Sequence, residues 1–558
     1  PGNQIDRSKT ITFIFNNKIY KGFEGDTLAS ALLANDVTLF ARSFKYGRKR
    51  GLMAAGVEEP NALISLESGG RYTPNLKATE ILLYDGLFAK SATSPNGFDL
   101  RAFIKPLHRF MPAGFYYKTF IKQKVWAKVE NSIRALSGFS ESPTEEDVDV
   151  YDHIHHHAEV LIIGSGVAGI SAAMEILNNS ENERVILVDE RPRLGGEIIS
   201  ELCSDNSAKE WLKSSVADLN VFRKEHSDRF TVLCNSTAYA WHDQNFVEIL
   251  ETITTAQSLA DREIQTPRKI NHKVRAKEVI LATGAHERPM LFEANDLSNI
   301  MLSQSVRRYL NEFGVISGNN TIIYGNNDTI YQTAKDLITN DINCMVIDVR
   351  PDGANNPFAE ELENSSIKIL QGYAIVKAHG SNRIKSVDIA PAIYIDSDWE
   401  IGNEIESLNC DLLASSGGFN PVVHLNCHSG SKTYFNEDSQ SFLTGDLPSN
   451  RQVCGAVDGT GDWQDAIVDG RNKAKLTLQS LGINKNPKIE KLSGNHNNPY
   501  RVSPFFTPVS IINRPKVFLD LQNDVATTDV AISIREGYRS IEHIKRYTAM
   551  GFGTDQGK

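Results

Sequence analysis

A chain of 558 residues is too long for a single hydrophobic core, so three or four domains are expected. Its 41% hydrophobic and 23% charged residues are ordinary for a globular protein, and no apolar run reaches the length needed to span a bilayer. The net charge of −10 disfavours wholesale binding to nucleic acid.

The opening "PGNQIDRSKTITFIFNN" lacks the basic-then-apolar layout of a secretory signal. Six cysteines occur (Cys203, Cys234, Cys344, Cys410, Cys427 and Cys454), with no CxxC pair and none in the first 200 residues. This pattern argues against a disulfide framework or a cysteine zinc site and fits a reducing cytoplasm.

In chain order, "ITFIFNNKIYKGF" holds two alternating strands around an Asn-Asn turn, a hairpin signal. "EGDTLASALLAND" follows as a short helix with Asp26 or Thr27 at its N-cap, and "NALISLESGGRYTPN" returns to strand and turn. Hairpin, helix and further strands predict a β-grasp unit. Between them "ARSFKYGRKRG" concentrates Arg42, Lys45, Arg48, Lys49 and Arg50, which reads as a solvated basic face. From Arg101 to about Asp152 the chain reads as helical or irregular, ending in the acidic "SESPTEEDVDVYD". The histidines of "HIHHHAEV" (His153, His155, His156, His157) have no carboxylate or Cys at ligand spacing and read as polar linker, so no metal site is expected.

"EVLIIGSGVAGISAAMEIL" predicts a buried strand, a tight turn at Gly164 and a helix from Val167, with Gly164, Gly166 and Gly169 forming GxGxxG. The first glycine permits the turn, the second lets backbone approach a pyrophosphate, and the third lets helix and strand pack closely. The helix N-terminus offers unpaired N–H groups and partial positive charge to the phosphates. "RVILVDERPRLGG" supplies the second strand and, at its end, Asp189, twenty residues after Gly169. An acid there accepts hydrogen bonds from a ribose 2′-OH and repels a 2′-phosphate, favouring NAD or FAD over NADP. Glu190 is the neighbouring alternative for that contact, and Arg191 weakens the exclusion of NADP. The candidate dinucleotide contacts in this half are Gly164, Ser165, Gly166, Val167, Ala168 and Gly169, then Asp189, Glu190, Arg191 and Gly196.

Downstream, "AKEVILATGAHERP" reads as a buried strand ending in Ala282-Thr283-Gly284 and resembles the ATG motif of two-dinucleotide-domain flavoproteins; Thr283 and Gly284 join the candidates. "TIIYGNNDTIYQTAKDL" looks like a second Rossmann start, yet of its glycines only Gly325 remains, with Asn327 and Ile330 in the other places, so no second dinucleotide is assigned. "VCGAVDGTGDWQDAIVDGRNKA" resembles the last flavoprotein signature, where Gly455 matches but Ala456 stands for the Asp that holds the ribityl chain of FAD, which tips the choice towards NAD. His286 and His424 each follow an apolar strand and read as structural, leaving the catalytic residues unassigned.

The expected fold class is α/β: a two-dinucleotide-binding-domain, Rossmann-like core with an N-terminal β-grasp ferredoxin-like domain and a small C-terminal helical domain. The expected boundaries are 1–110 for the β-grasp, 111–157 for a linker, 158–290 for the first part of the dinucleotide domain, 291–410 for the degenerate second unit, 411–485 for the return segment and 486–558 for the C-terminal segment.

"RGLMAAGVEEPNALISL" has the outline of a plant-type ferredoxin loop, Cys-x4-Cys-x2-Cys, with Ala54, Glu59 and Ala62 at the ligand positions. The C-terminus resembles the helical [2Fe–2S] domain of amine and proline dehydrogenase subunits, with Asp520 and Gln522 in place of its Cys-x-Cys and Asp555-Gln556-Gly557 in place of its later "CQG". On these positions no iron–sulfur cluster is expected. "SFKYGRKRG", "GVEEPNALISL", "ILATGAHERP" and "HIKRYTAMGFGTDQGK" together resemble the alpha subunit of heterotetrameric sarcosine oxidase over nearly the whole chain.

That resemblance implies NAD on this chain, FMN at an interface with a beta subunit and FAD on the beta subunit. It also implies beta, gamma and delta subunits as partners, with the amine pocket on beta. Sarcosine would be oxidised to glycine and formaldehyde with formation of hydrogen peroxide. Alpha subunits of the family continue into an aminomethyltransferase-like domain that binds tetrahydrofolate; this chain stops at Lys558, where that domain would begin, so no folate chemistry is expected of it. Three other readings stay open: a subunit of a related proline, opine or N-methyl amino acid dehydrogenase, a catalytically silent dinucleotide-binding scaffold, and an autonomous NADH:acceptor flavoprotein with FAD at Gly164–Gly169.

Overall fold

The computed structural model describes residues 2–43, 45–93, 112–114, 142–201, 205–253, 266–353, 357–362, 365, 367–395, 398–448, 450–493, 501–505, 507 and 516–554. Most of the stretch expected to be helical or irregular, together with Cys203 and Asp555-Gln556-Gly557, lies outside the described residues. Among the described residues no helix is long and apolar enough to cross a membrane.

The N-terminal unit is the expected β-grasp. Strands β1 (Asp6–Phe15) and β2 (Lys18–Glu24) pair antiparallel, with Phe15 opposite Lys18. Asn16 and Asn17, at φ 49° and 64°, make the two-residue turn that matches the twist of a hairpin. Helix α1 (Leu28–Ala34) starts at Thr27, where the Thr27 hydroxyl accepts from the Ser30 N–H and the Ser30 hydroxyl accepts in return from the Thr27 N–H. Strands β3 (Leu63–Leu66), β4 (Thr73–Lys77) and β5 (Phe88–Ser91) complete a sheet of order β2-β1-β5-β3-β4. Its core is not separate: Phe13, Leu28 and Leu32 share one apolar cluster with Tyr309, Phe313 and Tyr331 of the second Rossmann unit.

The first dinucleotide unit is built on two long neighbouring strands, β6 (Tyr151–Ile163) and, later in the chain, Lys269–Leu281. Between them come α2 (Val167–Asn178), β7 (Val185–Val188), α3 (Ile198–Glu201), α4 (Asn206–Glu225), β8 (Phe230–Leu233), β9 (Ser236–His242) and β10 (Phe246–Thr252), with Lys269–Leu281 becoming β11. The sheet order is β8-β7-β6-β11-β10-β9. Strand β11 changes partner along its length: its first half pairs antiparallel with β10, and its last three residues pair parallel with Arg451–Val453.

This pairing corrects the linker reading of the histidines. Strand β6 begins at Tyr151 rather than Ala158, and it pairs with β11 in continuous parallel register from Tyr151↔Lys269 to Ile163↔Leu281. In its first half exposed His153, His155 and His157 alternate with half-buried Ile154 and His156, the period-2 pattern of a strand with one wet face. His156 Nε2 lies 2.9 Å from His272 Nδ1, and His272 Nε2 lies 2.7 Å from Glu251 Oε2.

The second Rossmann unit has an all-parallel sheet of β12 (Ile300–Leu302), β13 (Asn320–Gly325), β14 (Asn343–Asp348), β15 (Lys368–Gln371) and β16 (Leu412–Ser416), in the order β12-β16-β13-β14-β15. Helices α5 (Ser303–Phe313) and α6 (Thr329–Thr339) pack on it. At its degenerate turn the polar side chains bond to one another. The Asn327 carboxamide oxygen accepts from the Thr329 hydroxyl at 2.6 Å, and fully buried Asp348 accepts from the Tyr331 hydroxyl and the Arg350 guanidinium. The chain then returns through Arg451–Val453 to the first sheet, where α7 (Trp463–Ser480) packs on α2.

The basic stretch 42–50 is not a solvated face. Lys45 Nζ meets Asp529 Oδ1 at 2.8 Å, Arg48 grips Asp296 with two hydrogen bonds of 2.5 Å, and Arg50, only 1% exposed, pairs with both Asp296 and Asp524. Asp524 also accepts from the backbone N–H groups of Lys45 and Tyr46. The C-terminal segment 516–554 is thereby bound to the β-grasp through desolvated charges. Asp524→Ala strands a buried guanidinium and is expected to cost about 3–5 kcal/mol, read as accelerated proteolytic release of the C-terminal segment. Protease resistance equal to that of the parent chain would show that the pair does not hold the segment.

Candidate functional site

The site begins where β6 ends. Gly164 turns at φ +102°, and a Cβ on it would lie 2.2 Å from the carbonyl oxygen of Ala282 on the neighbouring chain segment. A Cβ on Gly169 would lie 1.9 Å from the Gly164 carbonyl oxygen, so helix and turn touch backbone to backbone. Gly166, the N-cap of α2, is different: a Cβ there would meet nothing within 4 Å and would stand in open space above the helix N-terminus. A diphosphate needs that space, and the residues at the turn therefore fit a dinucleotide. Gly196 lies against the same turn, where an added Cβ would come within 2.8 Å of the Gly166 Cα.

Asp189 ends the second strand as expected, but its carboxylate is engaged by the loop: Oδ2 accepts from the N–H and the hydroxyl of Ser165, both at 2.6 Å, and Oδ1 accepts from the Arg191 N–H at 2.8 Å. Glu190 instead is exposed and faces the cleft; desolvation there, and then the charge of Asp189, push its carboxyl up to about 7. Arg191 donates hydrogen bonds to the Gly196 carbonyl (3.0 Å) and to Glu197.

The return segments complete the floor. The Thr283 hydroxyl donates to the Val422 carbonyl at 2.8 Å, and Gly284, at φ +73°, leaves its Cβ direction open. Gly455, at φ +78°, donates its N–H to Asp469 at 2.8 Å, while an added Cβ would press to 2.9 Å from Ala168 Cβ. The structure thus gathers Gly164, Gly166, Val167, Ala168, Asp189, Glu190, Arg191, Gly196, Thr283, Gly284 and Gly455 around one cleft of about 1180 Å³. Ser165 and Gly169 act behind the surface, Ser165 by holding Asp189 and Gly169 by letting α2 approach the turn.

Other residues that shape the cleft carry no local signal in the sequence. Gly56, Val57 and Glu58 reach it from the β-grasp, and Gln304, Arg307 and Arg308 from α5. Glu58 Oε2 lies 3.7 Å from His286 Nδ1; burial works against its charge, but His286, Arg308 and Arg191 hold its carboxyl below the usual range. Arg307, though buried, is kept protonated by Asp336 (2.8 Å) and by a two-pronged contact with Glu201 (2.8 and 2.7 Å). Glu287 accepts from the Gln304 N–H at 2.7 Å, and burial pushes it up to about 8. Cys454 lines the floor with its thiol raised by burial, the opposite of a reactive thiolate. His286 and His424 both line the cleft, His286 beside Glu58 and His424 at the start of the short helix His424–His428.

With the geometry in place, three protein families match the chain: a 2Fe-2S iron-sulfur cluster binding domain over residues 8–94, a pyridine nucleotide-disulphide oxidoreductase domain over 158–431, and the sarcosine oxidase A3 domain over 514–558. The sarcosine oxidase subunit alpha of Rhizobium meliloti (strain 1021) is 33% identical over 99% of this chain and 54% of its own length. That of Corynebacterium sp. (strain U-96) is 30% identical over 100% of this chain and 53% of its own. Among solved structures, the L-proline dehydrogenase from P. horikoshii superposes with a TM-score of 0.66 at 19% identity, covering 99% of this chain and 90% of that one, which shows a shared fold. Over its entire length the chain is a relative of the sarcosine oxidase alpha subunits, and it spans about half the length of those relatives.

The family match over 8–94 corrects one expectation. The chain was expected to be without an iron–sulfur cluster on the strength of a few ligand positions, whereas its N-terminal unit belongs to a cluster-binding domain. That match spans residues 8–94, far more of the chain than the three ligand positions. In the loop itself the fully buried Glu59 carboxylate accepts backbone N–H bonds from Met53, Ala54, Asn61 and Ala62 at 2.6–3.0 Å.

Glu287 makes the site's ionisation measurable. Between the ordinary glutamate value and about 8 the folded chain keeps a proton that the unfolded chain has released, so stability falls as pH rises through that window. Glu287→Gln is expected to flatten this part of the stability–pH curve, followed by denaturant midpoints from pH 5 to 9; an unchanged slope would assign it to other carboxyls.

Proposed function

We propose that this chain is the dinucleotide-holding part of an amine-oxidising oxidoreductase of the sarcosine oxidase type, working as an alpha subunit beside partner subunits. The observation that carries this reading is the coincidence of similarity along 99% of this chain to a sarcosine oxidase alpha subunit with an open glycine cradle at Gly164–Gly169. In the proposed complex sarcosine is oxidised to glycine and formaldehyde with formation of hydrogen peroxide, and the flavin chemistry resides mainly on a beta subunit, with gamma and delta subunits completing the assembly in the cytoplasm.

On this chain the N–H groups at the start of α2 bind the diphosphate, helped by the helix dipole. Glu190 accepts from the adenosine ribose, and Asp189 holds the loop in shape through Ser165. Ala456, in place of an acid for a ribityl chain, favours NAD over FAD. When bound, the dinucleotide supplies a nicotinamide capable of hydride exchange. The tie of Arg191 to Glu197 and Gly196 leaves its guanidinium committed elsewhere, in keeping with an unphosphorylated ribose.

Nucleotide released from the purified chain by heat is expected to show adenine and nicotinamide absorbance without flavin bands; flavin bands would replace NAD by FAD. Gly166→Val fills the diphosphate space and is expected to leave the chain folded but empty, checked by the same release assay and by circular dichroism. Full occupancy of a folded Gly166→Val chain would remove the cradle from the site.

A further inference from the structure

Two phosphates bring two negative charges, and what the first dinucleotide unit offers them at its glycine turn, among the described residues, is the backbone N–H groups at the start of α2. Among the described residues that line the cleft, the lysines and arginines are Lys77, Arg191, Arg307, Arg308 and Lys335. Four are committed elsewhere: Lys77 donates to the Val57 carbonyl, Arg191 to Glu197 and Gly196, Arg307 to Glu201 and Asp336, and Lys335 to Glu361. Arg308 is left with a single long hydrogen bond among the described residues, 3.4 Å from Nε to Glu312 Oε2.

Its place is suited to the missing charge. Helix α5 carries it to the seam between the second Rossmann unit and the β-grasp, where a Cβ on Gly56 would stand 3.2 Å from its Nη1. It is near enough to feel Glu58, and its charge is felt by Arg191, which is bonded to Gly196 against the glycine turn. Its side chain is only 12% exposed, so a contact made there is poorly screened by solvent.

We propose that Arg308 is a diphosphate-binding residue: the second Rossmann unit, whose turn keeps only Gly325 of its glycine pattern, supplies the cation that closes over the phosphates held by the first. The inference rests on the dinucleotide reading of the cleft. A planar guanidinium lining the cleft can give two parallel hydrogen bonds to phosphate oxygens, which an ammonium at the same place cannot. Arg308 holds the ligand and has no part in bond-making.

The test compares NAD, ADP and adenosine binding by calorimetry on the full chain and on Arg308→Gln and Arg308→Lys. Arg308→Gln is expected to weaken NAD and ADP by about tenfold to a hundredfold and to leave adenosine unchanged, with Arg308→Lys between it and the parent. Thermal melting of each variant checks the fold independently. Parent-like NAD and ADP affinity in Arg308→Gln would overturn the assignment while leaving the cleft a dinucleotide site. Equal weakening of adenosine would make Arg308 a shaper of the cleft and overturn it too. A parent chain that takes none of the three probes would remove the dinucleotide reading and Arg308's role with it.

Discussion

Everything in this molecule is arranged around a place where backbones touch. Gly164 lies against the Ala282 carbonyl, Gly169 against the Gly164 carbonyl, and Gly470 of α7 against the Ala168 carbonyl, each too close for a Cβ. Three segments from three parts of the chain, β6 with its turn, the end of β11, and the return helix α7, converge there because glycine leaves no side chain between them. The open direction at Gly166 exists because the other directions are closed. A cradle for a diphosphate is the space left over when the surrounding backbones cannot move.

The rest of the fold builds walls on that floor. The β-grasp is continuous in its core with the second Rossmann unit, so Glu58 on one and Arg308 on the other are held at a common seam. Arg307, forked between Glu201 and Asp336, ties α3 of the first unit to α5 and α6 of the second. At the far side, Arg48 and Arg50 fasten Asp296 and Asp524, drawing the C-terminal segment onto the same body. Buried charge pairs of this kind contribute little net stability compared with apolar packing, but they penalise any arrangement that separates them. Such pairs hold the units in one relative orientation, which a cleft lined from all of them requires.

Two units therefore appear in roles that their own motifs do not describe. The second Rossmann unit ties Asn327, Tyr331 and the Asp348–Arg350 pair into hydrogen bonds of its own at the degenerate turn, and lends its α5 face to the neighbouring cleft. The N-terminal unit belongs to a cluster-binding domain family and presents the outer side of its loop, Gly56 to Glu58, to the dinucleotide cleft. The similarity to sarcosine oxidase alpha subunits spans all of these parts at once, as expected if the arrangement and not any single domain is what the family retains.

What could be read from the sequence was whatever depends on neighbours a few residues away. The Asn16-Asn17 hairpin, the Thr27 cap, the GxGxxG turn and the acid after β7 are local: each needs only a φ sign, a cap or a glycine at fixed spacing. The same spacing misread "YDHIHHH" as linker, because a strand with one polar face is recognisable only once β11 lies beside it. It misread residues 42–50 as solvated, because the carboxylates that bury those cations stand roughly 250 and 480 positions away in the chain. Three ligand positions could not report the identity of the β-grasp frame that carries them. Glu58, His286, Arg307 and Arg308 meet at the cleft through long-range packing, so no window of sequence contains their relation. Backbone conformation and local turns were written in the chain; which charges face which ligand was decided only by the fold, because electrostatic partners are chosen by distance in space and not by distance along the polymer.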